Sequence, residues 1–228
     1  MESQEISAVK KSVAQKACEF IHSHMTVGIG SGSTVRFFIE ALGLLCQRGL
    51  QIQGVASSNA THELALKWHI PMLDHEEVHE IDVTVDGADE IDPQKFMIKG
   101  GGGALFREKI LAGSSKEMIV IIDQSKLSKT LGSRKLPIEI HPFCFPSTIK
   151  KINHLGFHGA LRKKADQNAF VTDNGNFIYD VQYSSHKKNP EKDHISLLNI
   201  PGVVETGLFC HFSPKVIVGY PKGETKIY

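Results

Sequence analysis

The chain predicts an α/β fold, in which a parallel-sheet main domain carries a smaller α+β domain inserted before the C-terminal strand. Three observations carry this. Short apolar strands alternate with helical patterns over about the first 125 residues. The run Met118–Ile122 is wholly apolar, as suits a central parallel strand buried on both faces. After Leu131 the texture changes to prolines, a hairpin signal and a lysine-rich loop.

The elements follow in order. Ile6, Val9, Val13, Ala17, Phe20 and Ile21 recur at helical spacing and predict an amphipathic helix over 6–21. Val27–Gly30 reads as a short strand, followed by Ser31-Gly32-Ser33-Thr34 and a helical pattern from Val35 to Leu45. Gln51–Ala56 reads as a strand and Asn59–Trp68 as a helix, while Ile81–Val85 alternates apolar and polar residues as a strand does. Phe96–Lys99 is a short strand running into Gly100–Gly103, with a helix from Ala104 to Ala112. Beyond Leu131 stand Pro137, Pro142 and Pro146, then helical spacing from Ser147 to Leu155. Phe170–Thr172 and Phe177–Tyr179 flank Asp173-Asn174-Gly175-Asn176, a hairpin signal. Ser184–His194 reads as a solvated loop, and Val216–Val218 as a last strand rejoining the main sheet. These assignments place the main domain at 1–131 plus 206–228 and the small domain at 132–205.

Composition narrows the function. With 228 residues, 41% of them hydrophobic, the chain can build an ample core. Its 26 Lys and Arg nearly cancel 25 Asp and Glu, so no global field draws it to nucleic acid or an acidic membrane, and any anion site must be built locally. Four cysteines at 18, 46, 144 and 210 form no CxxC pair and no disulfide framework; a reducing compartment and inert thiols are expected. The acidic start Met-Glu-Ser-Gln-Glu does not suit a signal or transit peptide, and no apolar run is long enough to span a bilayer. Cytoplasmic residence is the expectation. His22-x-His24 and His75-x-x-x-His79 have usable metal spacings, but no HExxH or Cys/His cluster accompanies them, so no metal site is expected.

Ligands of open parallel sheets bind beyond the carboxyl ends of the strands, and three loops fit that position. Gly28–Thr34 combines glycines, the hydroxyls of Ser31, Ser33 and Thr34, and a following helix N-terminus; it reads as a phosphate cradle in preference to a plain tight turn. It is neither GxGxxG nor a Walker loop. Asp86-Gly87-Ala88-Asp89-Glu90 sets three carboxylates at a strand end, either for sugar hydroxyls or as a solvated turn. A calcium loop starting at Asp82 fails, because Pro93 stands where its closing glutamate is needed. Lys99-Gly100-Gly101-Gly102-Gly103 costs much backbone entropy, so an exposed backbone is required there. Its amides and lysine ammonium make an oxyanion or phosphate site, with Glu108 about one turn into the helix beyond. Arg107 and Lys109 point elsewhere, since neighbours in a helix do not share a face. A surface helix with ordinary charges is the alternative. Lys126, after the apolar strand, lies at the same sheet edge.

Gly-x-Gly-Ser-Thr at 30–34, Asp-Gly-Ala-Asp-Glu at 86–90, Lys-Gly-Gly-Gly from 99 and Arg-Glu-Lys at 107–109 stand in an order and spacing that resembles the ribose-5-phosphate isomerase A family. Ser125-Lys126, Thr172–Asn176, and Pro201-Gly202-Val203-Val204 with Gly207-Leu208-Phe209 extend the resemblance over essentially the whole chain. Ser31 departs from the usual threonine, keeping its hydroxyl, and Gly103 from the usual alanine, which loosens the helix start.

The resemblance implies a Rossmann-like main domain, a homodimer or homotetramer, and no metal or organic cofactor. It also implies that Glu108 is the general base, that Asp86, Asp89 and Lys99 surround the reacting end of the sugar, and that Ser31, Gly32, Ser33, Thr34 and Lys126 hold substrate, chiefly its phosphate. Gly87, Ala88 and the Gly100, Gly101 and Gly102 backbone complete the expected site. The implied reaction interconverts ribose 5-phosphate and ribulose 5-phosphate through a cis-enediolate. An amino-sugar-phosphate deaminase, a sugar-phosphate sensor and a coenzyme A transferase are the competing readings. The first lacks its active-site pattern here, the second lacks room for a DNA-binding helix-turn-helix before the first loop, and the third is disfavoured by the motifs around Glu108.

Overall fold

The computed structural model describes residues 2–183 and 189–228. In chain order they form α1 (Glu2–Cys18), β1 (Thr26–Ile29), α2 (Ser33–Gln47), β2 (Gln53–Ala56), α3 (Asn59–Lys67), β3 (Ile81–Asp86), β4 (Glu90–Ile91), β5 (Met97–Ile98), α4 (Leu105–Gly113) and β6 (Ser115–Asp123). There follow β7 (Lys135–Ile140), α5 (Phe145–His154), β8 (Gly159–Leu161), β9 (Phe177–Gln182), α6 (Pro190–Leu198), β10 (Val203–Thr206), β11 (Leu208–Phe209), β12 (Lys215–Gly219) and β13 (Thr225–Ile227). The chain divides into two compact units: Met1–Ala88 with Arg107–Lys126 and Phe212–Tyr228, and Asp89–Phe106 with Leu127–His211.

The first unit is built on a sheet of order β13-β12-β6-β3-β1-β2. Its four inner pairings from β12 to β2 are parallel, and β13 adds an antiparallel edge through Val218↔Lys226. Val27, Ile29, Val83, Val85, Ile119, Ile121 and Ile217 from the strands pack with Val13 and Ala17 of α1 and Phe38, Ile39 and Leu42 of α2. Burying each Val, Ile, Leu or Phe side chain stabilises the fold by roughly 1.5–3 kcal/mol. Met118 to Ile122 is buried throughout, as a strand covered on both faces requires. The chain runs from β1 outward to β2, then returns to β3 and proceeds the other way through β6 to β12. That reversal between β1 and β3 is where the carboxyl ends of an open parallel sheet leave a crevice.

The second unit contains an antiparallel sheet of order β10-β7-β9-β8 and a small one of order β11-β5-β4. Leu136, Ile138, Ile140, Tyr179 and Val181 of the larger sheet share a core with Ile152 of α5 and Leu197 of α6. Residues 89–106, 127–131 and 206–211, placed by the sequence reading in the main domain, pack here. The cause is local pairing: β5 takes β4 and β11 as antiparallel neighbours, and the Asp89 N–H donates to the Ile98 carbonyl at 2.9 Å.

Several expectations are corrected. α1 ends at Cys18, and Phe20 and Ile21 lie beyond it. Ile6 is 46% exposed, so the buried stripe of the helix runs through Val9, Val13 and Ala17 instead. Of the loop expected over 184–194, residues 184–188 lie outside the described residues, while Pro190–Leu198 is helical. Asn189 caps that helix by accepting the Lys192 N–H, Pro190 occupies the first turn, and Glu191 and Asp193 oppose the helix dipole. The hairpin turn at 173–176 forms, with the Thr172 N–H donating to the Asn176 carbonyl at 2.9 Å. Its first arm, however, meets β9 only through the isolated bridge Val171↔Phe177. Val216–Val218 does rejoin the parallel sheet, but it is not the last strand, because β13 follows.

Candidate active site

In the first unit, the loops after β1, β2, β3 and β6 all leave the same edge of the parallel sheet. Ser31–Thr34 follows β1 and opens α2. Ser31 sits in a cluster of hydroxyls, its Oγ lying 2.7 Å from Ser57 Oγ, 3.1 Å from Ser58 Oγ and 3.3 Å from Thr61 Oγ1. Ser58 also caps α3 by accepting the Thr61 N–H, so the cluster is fixed by a helix start. Ser33 is exposed, and its Oγ accepts a hydrogen bond from Lys10 Nζ at 2.9 Å.

Asp86 ends β3 and is fully buried. Its Oδ1 accepts the Ser31 N–H at 3.1 Å and the Gly87 N–H at 2.7 Å, which ties the two loops flanking the β1/β3 crevice to each other. Gly87 and Ala88 are half-buried. Glu108 lies in the first turn of α4 and is only 5% exposed. A carboxylate so placed feels the helix N-terminal dipole. Arg107 points away, donating to Asn59 Oδ1 at 3.1 Å, as the one-residue offset predicts. Lys126 ends the short turn Gln124–Lys126 after β6 and is half-buried.

In the second unit, Lys99 follows β5 and is 3% exposed. Its N–H donates to the Gly207 carbonyl at 2.9 Å, and its ammonium lies 5.3 Å from the centre of the Phe209 ring, within cation–π range. The Gly101 N–H, expected among the oxyanion donors, donates to Asp89 Oδ2 at 2.7 Å. That amide is therefore engaged by Asp89. Gly102 is exposed and Gly100 buried. Gly103 has φ +86°, and a Cβ there would lie 2.5 Å from the Phe170 ring. Glycine is the residue this turn requires.

The three acidic residues of 86–90 separate by role. Glu90 lies in β4 and its carboxylate accepts the backbone N–H groups of Gly132, Ser133 and Arg134 at 3.1–3.2 Å. Burial works to raise its pKa, but these amides and the hydroxyls of Ser128 and Ser133 outweigh it and hold the group below its ordinary 4.5. Glu90 thus anchors a loop.

Residues missed from sequence are Lys10, Ser57, Ser58 and Thr61. Ser57-Ser58 follows a strand that ends at the same sheet edge, a signal that was present in the sequence. Lys10, a lysine on an amphipathic helix, carried none. Among the described residues no group of three or more His, Cys, Asp or Glu side chains is arranged to hold a metal ion. Nor is any helix among them long and apolar enough to cross a membrane. Cys18 and Cys210 are buried, and burial pushes the Cys18 thiol up to about 12, so it stays protonated.

Hydroxyl donors and a lysine around a helix start suit a phosphate, and aspartate carboxylates such as those of Asp86 and Asp89 suit sugar hydroxyls. A buried glutamate in the first turn of a helix suits proton transfer, and these residue types together are those an aldose–ketose isomerase acting on a phosphorylated sugar needs. Comparison with known proteins agrees. The family model described as ribose 5-phosphate isomerase A (phosphoriboisomerase A) matches residues 53–223. Ribose-5-phosphate isomerase A of Protochlamydia amoebophila is 49% identical over 218 residues, covering 96% of this chain and 94% of that relative. Among solved structures, ribose 5-phosphate isomerase from Plasmodium falciparum superposes with a TM-score of 0.93 at 33% identity, over 97% of this chain and 98% of that one. A D-ribose-5-phosphate isomerase in complex with phospho-erythronic acid superposes with a TM-score of 0.92 at 36% identity, over 98% of both chains. The chain belongs to the ribose 5-phosphate isomerase A family.

Proposed function

We infer that the chain interconverts D-ribose 5-phosphate and D-ribulose 5-phosphate, with Glu108 as the base that carries the proton between C2 and C1. The observation that carries this role is the burial of Glu108, at 5% exposure, in the first turn of the helix that follows the four-glycine loop. The reaction begins with opening of the furanose ring, in which Asp86 or Asp89 takes and returns hydroxyl protons. Glu108 then removes the C2 proton, the C1 carbonyl oxygen gains negative charge, and a cis-enediolate forms. The same carboxyl group returns the proton to C1 on the same face while the O2 hydroxyl proton passes to O1, which leaves the C2 carbonyl and C1 hydroxyl of the ketose. Hydrogen leaves one carbon and arrives at its neighbour, so the step balances without an external oxidant or reductant.

Lys99 and the Gly102 amide of the four-glycine loop stabilise the enediolate oxygens, while the Gly101 amide engages Asp89; one such preorganised donor is worth about 2.7–4 kcal/mol. Ser31, Gly32, Ser33, Thr34 and Lys126 hold the phosphate, joined by Lys10 through its contact with Ser33. Binding there, remote from the reacting carbons, supplies orientation rather than chemistry. Phospho-erythronic acid supports the enediolate reading on chemical grounds, because its planar carboxylate next to a hydroxyl-bearing carbon imitates an enediolate end. The balanced charge of the chain accords with a small-molecule partner rather than nucleic acid or a membrane, and we propose a homo-oligomer working in the cytoplasm.

The test is turnover of ribose 5-phosphate by the purified protein in excess EDTA, with added phospho-erythronic acid as inhibitor. Appearance of ribulose 5-phosphate, suppressed by the acid, is the expected result. A folded protein that yields no ribulose 5-phosphate under these conditions would contradict the proposal.

A further inference from the structure

Within the second unit, one side chain holds the four-glycine loop from outside it. Arg162, just after β8, donates from Nη1 to the Gly100 carbonyl at 3.0 Å and to the Gly101 carbonyl at 3.1 Å. The guanidinium is itself fixed: Nε donates to Asp180 Oδ2 at 2.8 Å and Nη2 to Oδ1 at 2.5 Å, a bidentate fork. Phe170 lies 5.6 Å from its central carbon, and both Arg162 and Asp180 are 15% exposed.

Among the described residues no peptide bond is cis. In a trans peptide the carbonyl and the following N–H lie in one plane and point in opposite directions. Turning the Gly100 carbonyl toward Arg162 therefore turns the Gly101 N–H away from it, and that N–H meets Asp89 Oδ2 at 2.7 Å. Turning the Gly101 carbonyl toward Arg162 likewise turns the Gly102 N–H away from the guanidinium. Glycine peptides rotate freely, so a run of four has no preference of its own for this arrangement. The charge of Arg162 is balanced by Asp180, which makes orientation its contribution to the loop.

We propose that Arg162, locked by Asp180, is a positioning residue for the reaction: it sets two consecutive glycine peptides so that Gly101 aims Asp89 and Gly102 presents its N–H to the developing enediolate. This rests on the isomerase reading above and adds to it a residue that touches no substrate. Arg162→Ala should lower kcat by at least about tenfold, against the roughly 10²–10³ lost when an oxyanion donor is removed outright. The inhibition constant of phospho-erythronic acid should rise in step with the loss of kcat/KM. That of inorganic phosphate, which probes only the phosphate cradle, should stay within about twofold.

A merely structural role would weaken both inhibitors together or lower the unfolding midpoint without separating them. Should Arg162→Ala not fold, Arg162→Lys decides. It keeps the charge beside Asp180 but loses the planar fork, and it is expected to show the same separation of kcat and phosphate binding. Turnover within twofold of wild type in a folded variant, or equal weakening of phosphate and phospho-erythronic acid, would overturn the proposal. Failure of the underlying reading looks different, because wild-type protein would then neither turn over ribose 5-phosphate nor bind phospho-erythronic acid.

Discussion

Replacing Gly30 by alanine tests how the β1 loop and Asp86 depend on each other. A Cβ at Gly30 would lie 2.0 Å from both Cγ and Oδ1 of Asp86, and 2.6 Å from its Cβ. Non-bonded carbon atoms normally rest at about 3.5–4.0 Å. The carboxylate must therefore move by roughly 1.5 Å, far enough to lose its hydrogen bonds from Ser31 N–H at 3.1 Å and Gly87 N–H at 2.7 Å. A hydrogen bond to a charged group contributes about 1.5–3 kcal/mol, and overpacking costs about 1–3 kcal/mol. The two overlap, because moving the carboxylate relieves the crowding, so a destabilisation of about 3–5 kcal/mol is expected. Urea unfolding reads it as a lower midpoint at unchanged slope. The decisive comparison is a double-mutant cycle with Asp86→Gly, which removes every atom of the clash; in that background Gly30→Ala should cost less than about 1 kcal/mol. Equal cost in both backgrounds would refute the coupling, as would a shift below about 0.5 kcal/mol in the single variant.

Two further predictions concern carboxylates that serve the fold. Glu90→Gln should destabilise the protein by about 1–3 kcal/mol at neutral pH, since backbone N–H groups of 132–134 lose their charged acceptor. Because the folded pKa of Glu90 lies below 4.5, its contribution is complete above that pH and is lost as pH falls through the lower folded value. Unfolding midpoints of wild type and variant should therefore converge in acid, and a constant difference down to that range would contradict the assignment. Glu139→Ala should cost about 2–4 kcal/mol, because one buried oxygen, Oε1, accepts from Thr172 Oγ1, Asn174 Nδ2 and Asn176 Nδ2 at 2.9–3.1 Å. Faster proteolysis at 172–176 should accompany it, and unchanged stability would show that this turn does not depend on Glu139.

How legible the protein is from its sequence differs from element to element. β1, β3, β6 and β12 stand out because strands covered on both faces must be continuously apolar, and the glycine-rich and acidic segments mark the loops beyond them. β4, β5 and β11 have two residues each, too few for any periodicity, and their pairing decides which unit residues 89–106 join. Gly28 and Gly30 show the limit of local reading. Their spacing suggests a backbone laid bare for a ligand, yet a Cβ at either would meet a β3 side chain, Thr84 or Asp86, so part of that signal is strand packing. Lys10 and Arg162 belong to sites whose other members lie 23 and about 62 residues away, which no local pattern reveals. α6 was legible, since Asn189-Pro190 is a helix start, but the lysines before it drew the reading toward a loop.

The proposed proton transfer by Glu108 is the centre of the account, and Glu108→Gln tests it most directly. Glutamine keeps the size of the side chain and removes its basicity. kcat for ribose 5-phosphate should fall by roughly 10²–10⁴, the contribution typical of a general base, while phospho-erythronic acid still binds within a few-fold of wild type. Turnover near the wild-type rate in this variant would remove Glu108 from the mechanism.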